Sequence, residues 1–290
     1  MPLDQTPHID YDDDKEDEES DNDGMSFLDH LEELRWHLIR SAIAIAIFMI
    51  IGFVFHQEVF QMLILPPSKV DFITYRVLCD IGNAIGIESL CVEKMNFALM
   101  SREVSGQFMM ALTTAAIVGL VVAFPYIFWE IWRFIKPGLK KEEKGAARGA
   151  VFYVTLLFFM GVLFGYYVVA PFAINFLVNF QIDESIINQF DIGSYIGILA
   201  TLTLACGITF QLPIAIFVLT KIGVVTPLFL RTYRRHSLVV ILIVAAVITP
   251  SPDAISQILV SIPLYILFEI SILVSERVEK AKLAALERQS

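Results

Sequence analysis

The sequence predicts an all-α integral membrane protein, and two observations support this fold class. Hydrophobic residues occupy 56% of the 290 positions and charged residues only 18%, which is below the roughly 25% charge of a typical soluble domain. Several apolar runs also approach the ~20 residues that a helix needs to cross a bilayer. We predict six transmembrane helices, at Leu38–Phe55, Gln107–Phe128, Ala150–Leu177, Gly193–Leu219, Ser237–Ile248 and Ala254–Val274.

An acidic segment precedes the first apolar run. Residues 1–24 contain eleven Asp or Glu and one base, Lys15, which leaves equal numbers of acids and bases in the rest of the chain. Because this segment is highly charged and poor in aromatic residues, we expect a disordered cytoplasmic tail. It has no basic stretch followed by an apolar core, so we do not expect a cleaved signal peptide. The membrane domain is then residues 25–275, and a charged C-terminal tail covers 276–290.

The first span begins directly after a charged segment, His30-Leu-Glu-Glu-Leu-Arg35. We predict a short charged helix here, carrying Glu33 and Arg35 at the membrane surface. Charges held in such a place set the orientation of the chain or bind a partner.

Lys and Arg predict the orientation of the spans. They are concentrated before span 1, between spans 2 and 3, between spans 4 and 5, and after span 6, whereas residues 178–192 contain none. Basic residues accumulate on the cytoplasmic side of membrane proteins. Both termini are therefore predicted to be cytoplasmic.

The fifth apolar run is too short to cross a bilayer of normal thickness. It contains 12 residues, Ser237–Ile248, which make ~18 Å of helix. We expect it to thin the bilayer locally, to lie deep within the protein, or to form half of a re-entrant hairpin.

The connection between spans 1 and 2, residues 56–106, lies on the outer side and is long enough to hold small helices of its own. It contains Cys79 and Cys91, and two cysteines outside the cytoplasm can pair. A bridge requires a short Cα–Cα separation, which the sequence does not supply. The sequence therefore leaves a disulfide between Cys79 and Cys91 open.

Two polar residues fall inside predicted spans, Gln211 in the fourth and Glu269 in the sixth. Groups of this kind at membrane depth mark functional sites, but they also form interhelical hydrogen bonds, and both interpretations stay open. Asp253 and Gln257 lie at the outer end of the sixth span. Asp253 follows two prolines and suits the first turn of a helix.

Two acids near the predicted cytoplasmic face, Glu33 and Glu143, also allow two interpretations. They offset neighbouring Lys and Arg in weak surface pairs, or they face one cleft and bind guanidinium groups, whose planar fork matches a carboxylate. The sequence has no zinc-protease, phosphate-loop or serine-hydrolase motif, and its five histidines are scattered. We therefore predict neither an enzyme nor a cofactor or metal site.

Taken together, these residues resemble the TatC family, the multi-spanning subunit of the twin-arginine protein translocase. The resemblance extends from Ser26 to Val274. The motifs that carry it are His30-Leu-Glu-Glu-Leu-Arg35, Phe124-Pro125, Trp132-Arg-Phe134-Ile-Lys-Pro137, Lys141-Glu-Glu143, Phe164-Gly-Tyr166-Tyr-Val-Val-Ala-Pro171, Phe210-Gln211-Leu-Pro213, Thr249-Pro-Ser-Pro252-Asp253, Ser256-Gln257 and Phe268-Glu269-Ile270.

The resemblance implies a receptor for signal peptides with paired arginines, in a translocase that exports folded proteins across a bacterial inner membrane. It implies a concave, cupped bundle with short fifth and sixth spans. Its expected partners are TatA- and TatB-type single-span subunits and lipid, in an oligomeric complex without nucleic acid. It assigns signal-peptide binding to Glu33, Glu143, Arg35 and Phe134. Partner contact or a structural role falls to Pro66, Pro125, Tyr166, Gln211, Asp253, Gln257 and Glu269.

The chain also departs from the family pattern. Gln211 stands where many members have an intramembrane Glu, and an amide forms hydrogen bonds without holding a negative charge. Two other functions were considered. A secondary transporter for a small solute would use Gln211 and Glu269 along its pathway, but no internal repeat is visible. An intramembrane protease would need a partner for Asp253 at the same depth.

Overall fold

The computed structural model describes residues 27–86, 91, 97–135, 147–183, 188–249 and 254–287, and within these ranges the chain is mostly helical. Two strands of three residues each, β1 (Ala98–Met100) and β2 (Gln189–Asp191), also occur. In chain order the helices are α1 (Phe27–Val54), α2 (His56–Val59), α3 (Ile73–Ile85), α4 (Gly106–Ile135), α5 (Ala147–Phe164), α6 (Ala170–Asn179), α7 (Ile192–Thr209), α8 (Leu212–Lys221), α9 (Pro227–Thr232), α10 (Arg234–Ile248) and α11 (Ala254–Glu287).

Five helical stretches in the described ranges are long and apolar enough to cross a membrane, which confirms a multi-pass helical membrane protein. They agree with the first four predicted spans and the sixth. The fifth predicted span corresponds to α10, whose 15 residues fall short of a normal crossing. The five stretches are Leu31–Val54, Gly106–Ile135, Val151–Asn179, Ile192–Lys221 and Ser256–Ala284.

Two expectations about helix length need correction. The sixth helix is not short, because α11 continues without a break for 34 residues through Glu287. Its charged second half is rich in Ala, Leu, Glu and Lys, which favour helix, and contains no Gly or Pro after Pro263. The charged segment around Glu33 is not a separate short helix either. It forms the first turns of α1, which continues directly into the apolar stretch.

Helices α1 and α4 run antiparallel in close contact. A Cβ on Gly119 of α4 would lie 2.7 Å from the backbone nitrogen of Met49 on α1, and one on Gly52 of α1 would lie 3.5 Å from Cα of Ala115. Small residues thus let the two backbones approach closely, as is common between membrane helices. This contact fixes the start of α1 beside the end of α4.

Glycines also set the contact between α5 and α7. A Cβ on Gly161 would lie 2.6 Å from the carbonyl oxygen of Cys206, and one on Gly165 would lie 2.9 Å from that of Leu202. On the facing helix, a Cβ on Gly207 would lie 2.9 Å from Val162. The spacing of Gly161 and Gly165 therefore serves close packing within one chain.

Two of the long stretches contain an irregular turn. A π-helical turn, Gly165–Val169, joins α5 to α6 just before Pro171. The stretch Ile192–Lys221 is interrupted at Phe210 and Gln211, before Pro213 in the first turn of α8. Proline has no N–H to donate and clashes with the preceding turn, and the irregular turns before Pro171 and Pro213 accommodate this.

At the end of the bundle opposite Glu33, tyrosines attach the connection after α1 to the helices. The Tyr166 hydroxyl donates to the carbonyl of Leu63 over 2.8 Å, and that of Tyr195 donates to the carbonyl of Ile64 over 2.7 Å. The Tyr75 hydroxyl lies 3.0 Å from the carbonyl oxygen of Pro171. Burial raises the pKa of Tyr75 above its ordinary value, so its hydroxyl remains a donor.

Two further links lie at this same end, which we call the disulfide end. Cys79 on α3 is bonded to Cys91, with a Cα–Cα separation of 4.2 Å. Strands β1 and β2 pair in parallel, with Leu99 opposite Phe190. The all-α prediction did not include these strands, because they belong to connections that are far apart in the sequence.

Candidate functional site

The candidate site lies where the start of α1 meets the end of α4, and we call this the Glu33 end of the bundle. Four charged or titratable side chains from α1 and α4 converge around one buried carboxylate, that of Glu130. They are Glu33, His37 and Arg40 of α1 and Arg133 of α4.

His37 and Glu130 form the buried centre of the site. Only 6% of His37 and 2% of Glu130 is exposed, and His37 Nδ1 lies 2.5 Å from Glu130 Oε2. An ionised carboxylate only accepts hydrogen bonds, so Nδ1 is the nitrogen that carries the proton and donates it. The opposite ring nitrogen, Nε2, then faces Glu33.

Two arginines balance the buried charge of Glu130. Arg40 Nη1 lies 3.8 Å from Oε2, and Arg133 Nη1 lies 3.7 Å from Oε1. The side chains of both arginines are about half exposed, so their remaining N–H groups reach water or headgroups. Burying an isolated carboxylate is strongly unfavourable, and paired cations together with a short hydrogen bond offset this. The Tyr126 hydroxyl, one turn earlier on α4, also faces Glu130.

Glu33 is the carboxylate of the site that has an acceptor oxygen without a hydrogen-bond partner among the described residues. Its Oε1 lies 3.9 Å from His37 Nε2, beyond direct hydrogen-bond distance. Its Oε2 is buried and has no hydrogen-bond partner among the described residues. The side chain is nevertheless 35% exposed, so a donor can approach from outside. A negatively charged acceptor in this state is suited to a cationic ligand with several N–H groups.

The other predicted signal-binding residues have different outcomes. Phe134 packs edge-on against the His37 ring, with 6.2 Å between ring centroids, so it lies within the site. Arg35 is exposed on α1. Glu143 lies outside the described residues, in the 136–146 connection, and its predicted convergence with Glu33 stays a prediction.

The two intramembrane polar groups make contacts between helices. Gln211 donates from Nε2 to the carbonyl of Val154 on α5 over 3.2 Å, and its Oε1 has no hydrogen-bond partner among the described residues. Glu269 on α11 pairs with Arg234 at the start of α10 over 2.5 Å. Gln211 therefore links α5 to the break before α8, and Glu269 links α10 to α11.

Of the remaining predicted residues, Asp253 lies outside the described part of the chain. Gln257 on α11 donates to the carbonyl of Leu242 on α10 over 3.1 Å. Pro125 lies inside α4, and Pro66 begins a short 3-10 helix after α1. Tyr166 holds the segment before Pro66 through its bond to Leu63. Gln257 and Tyr166 thus make contacts within the chain, and the choice between partner contact and a structural role stays a prediction.

Sequence reasoning missed His37 and Glu130 as site residues. The predicted second span ended at Phe128, which put Glu130 outside the membrane among ordinary surface acids. Helix α4 in fact continues to Ile135, and Glu130 is enclosed. The usable signal was a single acid between Trp129 and Trp132 in a largely apolar helix end, because such acids are generally paired and functional.

Comparison with known proteins gives consistent results. The family model described as Sec-independent protein translocase protein (TatC) matches residues 29–263. The protein named Sec-independent protein translocase protein TatC from Blattabacterium sp. subsp. Periplaneta americana is 42% identical over 260 residues, which cover 89% of this chain and 97% of that one. The protein of the same name from Deinococcus radiodurans is 34% identical over 247 residues, covering 85% and 84%. A crystal structure of a twin-arginine translocase receptor, TatC, aligns with a TM-score of 0.63 at 31% identity, over 86% of this chain and 99% of that one.

Proposed function

This chain belongs to the TatC family of Sec-independent protein translocase proteins, and we propose that it is the receptor subunit for twin-arginine signal peptides. In this role it forms the core of a translocase that exports folded proteins, and it binds its ligand without catalysing a reaction. The observation that carries the proposal is the Glu33 oxygen that has no hydrogen-bond partner among the described residues.

Arginine fits this acceptor better than lysine does. A guanidinium presents five N–H groups in a fixed planar fork, whereas an ammonium is a compact point charge. Glu33 has one oxygen with no partner among the described residues and a second oxygen beyond hydrogen-bond distance of His37. The nearby Glu130 is already balanced by Arg40 and Arg133, so Glu33 is the acid that can accept a new cation.

We assign the second arginine of the signal peptide to Glu143. This residue belongs to the 136–146 connection, which begins directly after Ile135, the last residue of α4. Phe134 contacts His37, so α4 ends beside the site. We include Arg35 and Phe134 as neighbours that shape the approach of the peptide.

The proposed topology has six spans in a cupped bundle, with both termini on the cytoplasmic side of a bacterial inner membrane. Helix α10 supplies the fifth crossing. Its 15 residues measure ~22 Å at helical rise, so the bilayer must thin around it. The positive-inside rule supports this orientation. Arg133, Arg231 and Arg234 lie at helix ends on the same side of the bundle as Glu33.

Single-span subunits of the TatA and TatB type are the proposed partners, together with lipid, in an oligomeric complex. Gln211 carries an acceptor oxygen without a partner in the described part of the chain, at the interruption between α7 and α8. Because this oxygen is buried within the chain, a polar side chain on a partner helix can donate to it only where the helices around the interruption move apart; inside the bilayer such bonds join helices.

Peptide binding tests the receptor assignment. The full chain is placed in lipid nanodiscs, and fluorescence anisotropy is measured with a synthetic signal peptide carrying paired arginines and with its paired-lysine version. We expect the arginine peptide to bind at least tenfold more tightly. Glu33→Gln should weaken its binding about tenfold or more, because a charge-assisted hydrogen bond contributes ~1.5–3 kcal/mol.

Glu32→Gln is the matched control, because Glu32 is the exposed neighbour of Glu33 on α1. It removes the same charge from the same helix and should leave the affinity within about twofold, since exposed charges interact weakly. Equal affinity for the two peptides, or unchanged binding by Glu33→Gln, would contradict the proposal. Glu143→Gln tests the second carboxylate in the same assay.

A further inference from the structure

Two half-exposed arginines are held next to each other where α1 contacts α4. Arg40 Nη1 lies 3.8 Å from one oxygen of the buried Glu130 carboxylate, and Arg133 Nη1 lies 3.7 Å from the other. Both guanidinium groups also act electrostatically on the Tyr126 hydroxyl, so both lie near that side chain. A guanidinium carries five N–H groups. Because both side chains are half exposed, each arginine has N–H groups left to donate to a ligand outside the bundle.

The helix faces that carry these arginines are otherwise apolar and exposed. On α1 the residues that follow Arg40 on its face are Ile43, Ile47 and Ile51, and on α4 those that precede Arg133 include Val122 and Trp129. Their spacing of three, four, seven or eleven residues from the arginine places each set on one side of its helix. All five of these apolar side chains are exposed. Hydrocarbon chains can therefore lie along both helices and reach the arginines at one end.

Tryptophan marks the headgroup level at this end of the bundle. All three Trp of the chain, Trp36, Trp129 and Trp132, belong to the parts of α1 and α4 that meet here. Tryptophan is enriched where the hydrocarbon of a membrane meets the headgroups. Arg40 is one turn from Trp36, and a long arginine side chain extends from such a position toward the headgroups. The phosphates of the surrounding lipid therefore lie within reach of both guanidinium groups.

The charge at this position is positive in either protonation state of His37. Arg40 and Arg133 carry two positive charges against the one negative charge of Glu130, and His37 adds either none or one more positive charge. Glu33 lies seven residues before Arg40 on α1, which is ~10 Å along the helix axis. Salt largely screens partly exposed charges at about this distance. An anion is therefore the ligand that balances the charge left on the arginines.

We propose that Arg40 and Arg133 bind the phosphate group of an anionic phospholipid in the leaflet at the Glu33 end, and that Glu130 positions both guanidinium groups. Arginine binds phosphate through a planar fork of N–H groups, and a carboxylate behind the fork fixes its direction. A zwitterionic phospholipid fits less well, because its own cationic group already balances its phosphate. Lipid binding at this position depends on insertion of the chain in a membrane and is independent of the receptor assignment.

Fluorescence of the native tryptophans measures which lipid occupies this position. The full chain is reconstituted in vesicles of phosphatidylcholine with a minority of phosphatidylglycerol, and bromine on the acyl chains of one lipid or the other quenches tryptophan on contact. Both samples have the same lipid composition and the same bromine content. We expect stronger quenching when phosphatidylglycerol carries the bromine, because this anionic lipid is concentrated beside the exposed side chains of Trp36 and Trp129.

Arg40→Gln and Arg133→Gln test the two guanidinium groups. A basic residue near the membrane surface contributes ~1 kcal/mol to the attraction of anionic lipid, so each substitution should lower the local enrichment of phosphatidylglycerol about fivefold. Arg40→Lys keeps the charge that balances Glu130, which protects the fold, but it has no planar fork to bridge the carboxylate and a phosphate. We expect this variant to lose most of the enrichment as well. Thermal unfolding of each variant in detergent reports whether the bundle remains folded.

Arg235→Gln is the matched control, because it removes the same charge from the same end of the bundle. Arg235 is exposed in the first turn of α10, which packs against α7, α9 and α11, and its loss should leave tryptophan quenching unchanged. Equal quenching by the two brominated lipids in the wild-type chain would overturn the inference. So would an equal loss in Arg235→Gln and Arg40→Gln, or full enrichment in Arg40→Lys, because a diffuse surface charge would then account for the effect.

Inorganic phosphate in the buffer distinguishes a lipid from a free anion. We expect it to leave the excess quenching by brominated phosphatidylglycerol in place, because the acyl chains hold the lipid phosphate beside the arginines. Loss of the excess would show that the position takes a free anion and not a lipid. Failure of the paired-arginine peptide to bind would refute the receptor assignment alone, since the quenching measurement uses no peptide.

Discussion

His37 Nδ1 on α1 lies 2.5 Å from Oε2 of Glu130 on α4, and both residues are almost completely buried. The bond joins the charged first turns of α1 to the apolar second span, so the Glu33 end is part of the packed bundle. Because α1 is one continuous helix, the glycine contacts along its apolar part and the His37 contact together define a single register. The position of Glu33 follows from that register.

Helices α1 and α4 approach each other most closely at Gly119, which predicts a steric effect when a side chain is added there. We expect Gly119→Ala to lower stability by about 1–3 kcal/mol, since a Cβ here meets the Met49 backbone nitrogen at 2.7 Å and the helices must separate. Thermal unfolding in detergent measures the change. Gly197→Ala on α7 is the control, because a Cβ there meets nothing within 4 Å. It should stabilise by up to about 1 kcal/mol through helix propensity. Equal effects of the two substitutions would contradict the packing argument.

The tyrosine contacts at the disulfide end predict that removing a single hydroxyl group lowers the stability of the chain. We expect Tyr195→Phe to destabilise by about 1 kcal/mol, because its buried hydroxyl donates to Ile64 over 2.7 Å. This corresponds to a fall of about 2–4 °C in Tm for a chain of this size. Tyr153→Phe removes a hydroxyl from a side chain on α5 that is 60% exposed, and its Tm should not change. A drop shared by both variants would show that the hydrogen bond is not responsible.

The disulfide predicts a labelling pattern that also reports topology. A membrane-impermeant maleimide, added to the outer face of intact cells, should modify Cys79 and Cys91 only after reduction. Cys206 is buried within α7 and should stay unmodified. Cys79→Ser should expose the Cys91 thiol to the reagent without reductant. Labelling of the unreduced wild type would show that the bond is absent, and labelling only after the membrane is opened would reverse the proposed orientation.

The helices could be predicted from the sequence because their signal is local. Apolar runs bounded by charges locate the spans, and the shortness of the fifth run follows from counting residues, as α10 confirms. The end of α11 was harder to predict. Charged residues end a membrane span, but they do not end a helix when they are good helix formers, so α11 continues to Glu287.

The site was only partly predictable, because its central contacts join residues that are distant in the sequence. The family resemblance pointed to Glu33 and Phe134, yet nothing local in the sequence shows that Phe134 contacts His37 or that Glu130 is enclosed. Burial of Glu130 depends on how far α4 extends beyond the apolar core. The pairing of β1 with β2 depends in the same way on the arrangement of whole helices.

A buried pair of hydroxyl groups joins α8 to α11 near the Glu33 end. It predicts that removing one hydroxyl destabilises the chain more than removing both. Thr220 Oγ1 lies 2.8 Å from Ser275 Oγ, and both residues are buried. Thr220→Val leaves the Ser275 hydroxyl without this partner, which should cost about 1–3 kcal/mol. Adding Ser275→Ala removes the unpaired group, so the double variant should be more stable than Thr220→Val alone. Urea or thermal unfolding in detergent gives the comparison, with Thr232→Val as the control because its hydroxyl is exposed and bonds within α9. A double variant less stable than either single variant would mean that the two hydroxyls act independently.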